Sequence, residues 1–312
     1  MKRVLITGAT GFIGRHCLPS LLRDGYEVHA ISSRKPGESL PQVSWHQVDL
    51  LAEAQVQAAV ARIEPTHLLH LAWYVVPEKF WAAAENVQWV QASLTLVQAF
   101  VAHGGTRIVA AGTCAEYDWS YGYCSEGRTP LAPASLYGTC KQGLQAILDG
   151  YAREARISSA WGRLFWLYGP YEHTTRLVPS VVCSLLRGVP ALCSHGKQIR
   201  DFMYVQDAAD AFVALLNSDT SGPVNIASGE PLALRDLIGK IAQKTNRQDL
   251  IRLNAIASAA SEPPLVLANA ARLRDEIGWS PNYSLDDGLD ATIGWWQERI
   301  SVAVHLDEGG AA

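Results

Sequence analysis

Two side chains near the middle of the chain have the types and the spacing needed for proton transfer. Tyr137 and Lys141 are four residues apart in a segment that Ser135 could cap as a helix, so the phenol and the ammonium share one helix face. A neighbouring cation favours the phenolate and lowers a tyrosine pKa from about 10 toward neutral pH, which suits an acid/base catalyst. An ordinary exposed helix pair has the same spacing, so the interpretation depends on the elements around it.

A glycine-rich stretch at the start of the chain predicts a dinucleotide site. The run VLITGATGFIG, residues 4–14, places three glycines between an apolar strand and an apolar-periodic helix. Such glycines allow a positive φ and a close approach of backbone to a pyrophosphate, which sits on the helix N-terminus. A glycine-rich turn after a buried strand can also be only a turn. The cofactor contacts predicted here are Gly8, Thr10, Gly11, Phe12, Ile13 and Gly14.

The end of the second predicted strand, Glu27 to Ile31, favours NADPH over NADH. An acidic side chain at this point would bind the ribose 2′-OH of NAD, whereas this chain has Ser33, Arg34 and Lys35. Basic groups beside hydroxyls suit the 2′-phosphate of NADP. A solvated charged turn before Pro36 is the alternative interpretation.

Two further strand ends are expected to contact the cofactor. Asp49, after the predicted strand Val43 to Val48, could accept from the adenine amino group or cap the helix that begins near Glu53. Strand four, His67 to Leu71, leads to the carboxyl edge of the sheet, where open α/β folds bind ligands. His70 within this apolar run is expected to be a packed core histidine. The cofactor contacts predicted at these ends are Asp49, Leu50, Leu71 and Ala72.

Strand and helix patterns alternate along the first half of the chain. This alternation predicts an α/β fold with a parallel sheet and helices on both faces. Further elements are expected as a long helix from about Lys79 to Phe100, strand five from Arg107 to Ala111, strand six from Arg163 to Leu167, and a short strand from Val224 to Ala227.

Composition excludes several classes of partner. The 312 residues are 48% hydrophobic and 18% charged, which is ordinary globular composition and allows one large or two small domains. A net charge of −4 gives no general attraction to nucleic acid or to an anionic membrane. The six cysteines are scattered without the spacing of a zinc site or a disulfide framework. With no signal peptide and no apolar run long enough to span a bilayer, we expect a cytoplasmic protein without a bound metal.

Five motifs in order identify a family. The chain resembles the extended short-chain dehydrogenase/reductases that act on nucleotide sugars, within the NAD-dependent epimerase/dehydratase family. The resemblance lies in TGATGFIG, in Thr113 after strand five, in Tyr137-Gly-Thr-Cys-Lys141, in the turn Tyr168-Gly-Pro and in Arg200-Asp201-Phe202. It extends from Met1 to about Arg299, and the segments Gly278-Trp279-Ser-Pro and Leu285 to Leu289 are typical of the C-terminal end of such proteins.

The resemblance implies a domain organisation and a set of partners. It implies a doubly wound Rossmann core at 1–167, to which 205–228 return, with a smaller substrate-binding lid at 168–204 and 229–303. Residues 304–312 are expected to form a disordered tail. The implied partners are a nucleotide-sugar substrate and a second copy of the chain in a homodimer.

The resemblance also implies roles for the central residues. Tyr137 would be the acid/base at the sugar carbonyl or hydroxyl, and Lys141 would bind the nicotinamide ribose and depress the tyrosine pKa. Thr113 would hold the reacting oxygen. Arg200 matches the family arginine that binds the diphosphate, for which a guanidinium fork is suited, with a salt bridge to Asp201 or Asp207 as the alternative. The substrate contacts expected are Trp73, Cys114, Glu116, Trp166, Arg176 and Arg200, with Trp166 standing where family members often have Asn.

Two absences narrow the reaction. The 4,6-dehydratases of the family carry an acid, usually Glu, two residues before the tyrosine that matches Tyr117, whereas this chain has Ala115, and Glu116 is one position too late. The combined 3,5-epimerase and reductase of the fucose pathway uses a Cys at the Ala115 position and a His at the Arg176 position. Cys114 and His173 miss these positions and are more simply a small buried residue and a loop residue.

A 4-ketoreductase needs only hydride and the residues Tyr137, Lys141 and Thr113. We therefore expect NADPH-dependent reduction of a nucleotide-diphosphate-linked 4-keto-6-deoxyhexose to the deoxysugar. An NAD-retaining nucleotide-sugar 4-epimerase with the same triad is the first alternative. A non-catalytic dinucleotide-sensing protein is the second, although such proteins typically lose the tyrosine and lysine pair.

Overall fold

The computed structural model describes residues 2–34, 40–258 and 262–309, with side chains as far as residue 301. Lys35, which the sequence assigns to the 2′-phosphate of the cofactor, lies outside the described residues.

Strands and helices alternate through the first half of the described chain. The strands are β1 (Arg3–Thr7), β2 (Glu27–Ser32), β3 (Val43–Gln47), β4 (His67–His70), β5 (Arg107–Thr113), β6 (Tyr123–Cys124), β7 (Ser158–Leu164), β8 (Trp166–Tyr168), β9 (Ala191–Leu192), β10 (Ile199–Tyr204), β11 (Gly222–Ile226), β12 (Pro231–Ala233), β13 (Ile251–Arg252) and β14 (Leu265–Ala268). The α-helices are α1 (Gly14–Arg23), α2 (Glu53–Ile63), α3 (Glu85–Ala102), α4 (Leu136–Ala155), α5 (Leu177–Leu186), α6 (Val205–Asn217), α7 (Leu234–Lys244) and α8 (Leu285–Gly309).

A seven-stranded parallel sheet forms the centre of the molecule, in the order β11-β7-β5-β4-β1-β2-β3. All seven residues of β5 are buried, as expected for a near-continuous apolar strand that is covered on both faces. Apolar side chains of α1 and α6 pack on one face, and those of α2, α3 and α4 pack on the other. The predicted doubly wound parallel sheet is confirmed. Its strand order reverses beside β1, where sheets of this kind bind their ligands.

The remaining strands and helices form a smaller portion. β8 leaves the large sheet and pairs with β10, which also pairs with β12 and β14, while β9 and β13 form a two-stranded sheet. α5, α7 and α8 enclose an apolar cluster of their own. Between these elements α6 and β11 return to the large sheet, where α6 packs against α1 and β11 pairs with β7.

Three elements differ from their sequence predictions. The long helix begins at Glu85 rather than near Lys79, because the Asn86 amide donates to the Phe80 and Ala83 carbonyls and holds the preceding segment in a turn. The expected strand Arg163 to Leu167 is two strands, β7 and β8, because the chain changes sheets after Leu164. α8 extends to Gly309 and so includes residues 304–309 of the expected tail; residues 310–312 lie outside the described residues.

In the described ranges, no helix is both long and apolar enough to cross a bilayer.

Candidate active site

Three adjacent strands bring predicted site residues to one edge of the large sheet. β1, β4 and β5 are neighbours, and Gly8, Ala72 and Thr113 lie at their carboxyl ends. The Thr7 hydroxyl joins two of these ends, since it accepts from the Ala72 amide at 3.2 Å and bonds His70 Nδ1 at 2.7 Å. His70 is buried in this contact, which confirms the prediction of a core histidine.

The glycine-rich turn fits the pyrophosphate of a dinucleotide. Gly8 has a φ of +72°, and a Cβ there would lie 2.8 Å from the Ala72 nitrogen. A Cβ on Gly14 would overlap the Gly8 carbonyl, so neither position accepts a side chain. α1 begins at Gly14 with no side chain capping its first turn and no acidic residue in that turn. Its N-terminus therefore favours an anion.

Of the other residues in this turn, two are exposed to solvent and two pack against the smaller portion of the chain. Thr10 and Gly11 are exposed, and the Arg15 guanidinium donates to both of their carbonyls. Phe12 and Ile13 pack against the apolar cluster of the smaller portion. The turn therefore offers its backbone to a ligand while these two side chains fix it to the rest of the chain.

The predicted cofactor contacts after β2 and β3 are mostly exposed to solvent. Ser33 and Arg34 are exposed at the end of β2. Asp49 is also exposed and accepts from the Leu51 amide at 3.0 Å. Because α2 has Ala52 as its N-cap, the alternative in which Asp49 caps this helix is wrong. The remaining predicted contacts are the buried Leu50 and Ala72 and the half-buried Leu71.

Tyr137 lies in the first turn of α4, where Ser135 accepts from the Gly138 amide at 3.1 Å as predicted. Its phenol forms a hydrogen bond with Thr113, the last residue of β5. Burial raises the pKa of Tyr137 above its ordinary value, and the bond with Thr113 offsets only part of the rise. The expected lowering of this pKa is therefore wrong, and Tyr137 carries a proton that it can donate at neutral pH.

Lys141 is buried one helical turn further along α4. Its Nζ donates to the Ala111 carbonyl at 2.8 Å and lies 3.7 Å from the centroid of the Trp73 ring. The Trp73 indole is fixed by a 2.8 Å bond from Nε1 to Asn86 Oδ1. Burial lowers the pKa of Lys141 to about 7, and the Glu116 carboxylate opposes this change. Trp73, expected to contact substrate, is buried and covers Lys141 instead.

Glu116 does not contact substrate as expected, because it is fully buried and paired. Its Oε2 accepts from Arg163 Nε at 2.7 Å, and its Oε1 accepts from Trp161 Nε1 at 2.9 Å and from the Thr113 amide at 2.8 Å. The short helical turn Cys114–Glu116 directs the carboxylate inward. Glu116 thus fixes the backbone of Thr113 by accepting a hydrogen bond from its amide within the core.

Cys114 is likewise part of the core rather than an exposed substrate contact. Its side chain is buried in an apolar cluster with Tyr117, Cys124 and Phe165. Burial raises the pKa of the Cys114 thiol well above its ordinary value, so the thiol stays neutral. The expected substrate contact is corrected to a small buried residue.

A row of indole rings leads from Tyr137 toward Arg200. Trp81 packs edge-on against Tyr137 with centroids 5.8 Å apart, Trp119 lies 6.3 Å from Trp81, and Trp166 lies 5.9 Å from Trp119. The Arg200 guanidinium is 5.0 Å from the centroid of Trp166. Trp81 and Trp119, together with Trp166, are called the indole row below. Trp81 and Trp119 were not predicted as site residues, because in the sequence each is an isolated tryptophan without a motif around it.

Arg200 has an acidic partner that differs from either one expected. Its Nη2 donates to Glu262 Oε1 at 3.0 Å, and its Nη1 donates to the Ile199 carbonyl at 2.8 Å. Asp201 and Asp207 accept from backbone amides instead, so the alternative of a salt bridge to them is wrong. Arg200 is buried, while the Glu262 side chain is about one-third exposed at 34%.

Arg176 is exposed at the N-cap of α5. Its guanidinium lies 5.6 Å from the centroid of Phe80, which packs edge-on against Tyr137 at 4.9 Å. The Arg176 charge acts on both Tyr137 and Glu172. Phe80, which packs against Tyr137, was not predicted from the sequence, where it belongs to no motif.

The part of the chain that the structure describes contains no group of three or more His, Cys, Asp or Glu side chains that could hold a metal ion.

The order of motifs along this edge matches a known family. A model of the NAD dependent epimerase/dehydratase family matches residues 4–227, well over half of the chain. The chain belongs to this family. It is an extended short-chain dehydrogenase/reductase that resembles enzymes acting on nucleotide sugars, as the motifs predicted.

Individual members of the epimerase/dehydratase family are similar along nearly the whole chain. UDP-glucuronic acid decarboxylase 1 of Xenopus tropicalis is 24% identical, over 96% of this chain and 73% of its own length. GDP-6-deoxy-D-mannose reductase of Pseudomonas aeruginosa is 25% identical, over 96% of this chain and 98% of its own. The crystal structure of UDP-glucose 4-epimerase from Thermotoga maritima, with UDP-glucose, has a TM-score of 0.85 at 20% identity, covering 96% of this chain and 99% of that one. At these identities the family is shared, and the reaction must be argued from the site.

Proposed function

We propose that the protein uses NADPH to reduce a nucleotide-diphosphate-linked 4-keto-6-deoxyhexose at C4. The observation that carries this proposal is the position of the Tyr137 phenol, hydrogen-bonded to Thr113 and one helical turn from Lys141, at the edge that also holds the glycine-rich turn. A reductase needs a proton donor at the carbonyl oxygen, and a tyrosine phenol at this place can supply that proton.

Each residue of the triad has a distinct task. Thr113 hydrogen-bonds the C4 oxygen, and Tyr137 donates its proton to that oxygen as the carbonyl becomes a hydroxyl. Lys141 binds the nicotinamide ribose, which requires its Nζ to exchange the Ala111 carbonyl for ribose oxygens. NADPH, when bound, supplies the hydride that C4 accepts.

The cofactor assignment rests on both ends of its site. The close-packed glycines and the uncapped start of α1 suit a pyrophosphate. Arg34 and Ser33, exposed at the end of β2, supply the charge and the hydroxyl that suit a 2′-phosphate, and Lys35 adds a second charge in the sequence. Together these features support NADPH.

The substrate end is formed by the smaller portion of the chain. The Arg200 guanidinium can bind the diphosphate if the substrate replaces Glu262 as its hydrogen-bond partner. Trp166 of the indole row covers that guanidinium. A sugar between Arg200 and Tyr137 would lie along the indole row, against which its apolar C–H faces can pack. The similarity to a GDP-6-deoxy-D-mannose reductase is consistent with this assignment.

Dehydration at C5 and C6 is disfavoured on structural grounds as well as by sequence. Ala115 replaces the family acid, and both oxygens of Glu116 are already bound within the core. Glu116 therefore does not reach a substrate as a base.

The alternative of a 4-epimerase is supported by similarity to known epimerases, among them the one from Thermotoga maritima described above. A UDP-glucose 4-epimerase of Rhizobium leguminosarum is 25% identical over 94% of this chain, and an epimerase would use the same triad. The two reactions differ in the fate of the cofactor, because a reductase consumes NADPH and an epimerase regenerates its own.

The proposal is tested by incubating purified protein with NADPH and a panel of dTDP-, GDP-, CDP- and UDP-linked 4-keto-6-deoxyhexoses. We expect stoichiometric loss of NADPH absorbance with one of them and formation of the deoxysugar. Interconversion of UDP-glucose and UDP-galactose without net loss of cofactor would establish the epimerase instead. Binding of NADPH with no turnover of either class would favour the dinucleotide-sensing alternative.

We extend the proposal to a cytoplasmic homodimer. Val87 on α3 and Ile147 on α4 are each about half exposed, on helices that pack beside each other, and a second copy could cover them. Sedimentation equilibrium of the purified chain tests this, since a mass of one chain at micromolar concentration would contradict it.

A further inference from the structure

The Glu172 carboxyl is a buried polar group that the reaction above does not use. Its Oε2 has no contact with solvent and no hydrogen-bond partner among the described residues. The carboxyl receives one bond, from the Gly169 amide. A buried oxygen without a partner costs free energy, which is tolerated where a ligand completes the bond.

The loop that carries Glu172 connects the two parts of the candidate site. On one side, His16 of α1 bonds the Pro170 carbonyl at 3.4 Å, two residues after the glycine-rich turn ends. On the other side, the charge of Arg176 acts on both Glu172 and Tyr137. The carboxyl and the proton donor thus both lie within the range of the Arg176 charge.

Resting on the proposed function, we propose that Glu172 contacts the substrate and that its carboxyl hydrogen-bonds a hydroxyl of the sugar on the Arg176 side of Tyr137. A hydroxyl both donates and accepts, so it can complete the free Oε2.

The ionisation of Glu172 supports a neutral carboxyl at this place. Burial raises its pKa to about 8, with Arg176 and the Gly169 amide opposing the rise. A neutral carboxyl can donate to the sugar as well as accept from it, whereas the carboxylate can only accept. Sugar binding should therefore weaken above pH 8. The charged or titratable groups around this loop include Arg15 and His16 of α1, Tyr171 and His173 of the loop and Arg299 of α8, and the Arg15 and Arg299 guanidiniums lie over the Tyr171 ring.

The test separates the sugar from the nucleotide. Calorimetric titrations use NADPH, the nucleotides UDP, dTDP, GDP and CDP, and the glucose conjugate of each nucleotide. The proteins are wild type, Glu172→Gln, Glu172→Leu and the exposed control Glu154→Gln from the far end of α4. For the nucleotide that wild type prefers, we expect Glu172→Leu to bind the glucose conjugate about tenfold more weakly and the free nucleotide equally well. Glu172→Gln, which keeps a donor and an acceptor, should stay within about threefold at pH 7 and lose the decline above pH 8.

The outcomes distinguish failure of the role proposed for Glu172 from failure of the proposed function. Equal binding of the glucose conjugate by wild type and Glu172→Leu would overturn the inference and leave the proposed function intact. A loss confined to NADPH affinity would also overturn it, because the carboxyl would then contact the cofactor. If wild type binds none of the four conjugates, the proposed function fails and the inference fails with it.

Discussion

The buried pair of Glu116 and Arg163 gives the sharpest prediction about stability. The two side chains are 0% and 2% exposed and are joined at 2.7 Å. In Glu116→Gln the amide oxygen can still accept from Trp161 and from the Thr113 amide, but the guanidinium loses its counter-charge. Leaving a buried charge unpaired costs about 3–5 kcal/mol, so the free energy of unfolding should fall by that amount.

The assay is urea unfolding at pH 7, with the exposed pair of Arg272 and Glu276 as the control. That pair has the same 2.7 Å separation, yet its side chains are 27% and 47% exposed, so Glu276→Gln should cost about 0–1 kcal/mol. Replacing both partners, in Glu116→Leu with Arg163→Met, should recover part of the loss. Equal effects of Glu116→Gln and Glu276→Gln, with a raised KM for the first, would show that Glu116 contacts substrate and would refute the reasoning.

Three further predictions concern the cofactor and the ionisation of the site. Wild type should prefer NADPH to NADH at least tenfold in kcat/KM, about 1.4 kcal/mol, and Arg34→Ala should reduce that ratio; an unchanged ratio would contradict the 2′-phosphate assignment. Incubation with dTDP-glucose, GDP-mannose or CDP-glucose and oxidised cofactor should yield no 4-keto-6-deoxy product, and its appearance would mean that some residue replaces the missing acid at Ala115. The pKa of Lys141 is lowered to about 7 in the folded protein from 10.5, so the free energy of unfolding of wild type should fall as the pH falls from 10.5 to 7. Lys141→Met lacks this titration, so its free energy of unfolding relative to wild type should be higher at pH 7 than at pH 10. Urea unfolding that gives the same difference between the two proteins at both pH values would contradict the burial of Lys141 as the cause.

Local sequence patterns predicted the parts of the site that are local in the chain. The glycine spacing, the Ser135 cap and the four-residue separation of Tyr137 and Lys141 each depend on one turn of helix or loop. The alternation of strands and helices similarly predicted the large sheet. These features are visible in sequence because the interactions that fix them join residues only a few positions apart.

The errors arose where a long-range partner decides the orientation of a side chain. Glu116 turns inward because Arg163, 47 residues later, is buried beneath it. Arg200 pairs with Glu262 rather than with its neighbour Asp201, and the two are 62 residues apart. No local pattern encodes such pairings. The pKa of Tyr137 was misjudged for the same reason, because its rise comes from burial by tertiary packing.

The most direct test of the central claim is the rate of the chemical step in Tyr137→Phe, on the keto-sugar that wild type turns over best. The substitution removes the proton donor and keeps the ring that packs against Phe80 and Trp81. General acid catalysis is worth about 10²- to 10⁴-fold, so kcat should fall within that range while NADPH affinity stays within a few-fold. A deuteride isotope effect, measured with 4-deuterated NADPH, establishes that hydride transfer limits the rate. A variant that keeps more than about a third of the wild-type kcat under those conditions would show that the proton comes from elsewhere.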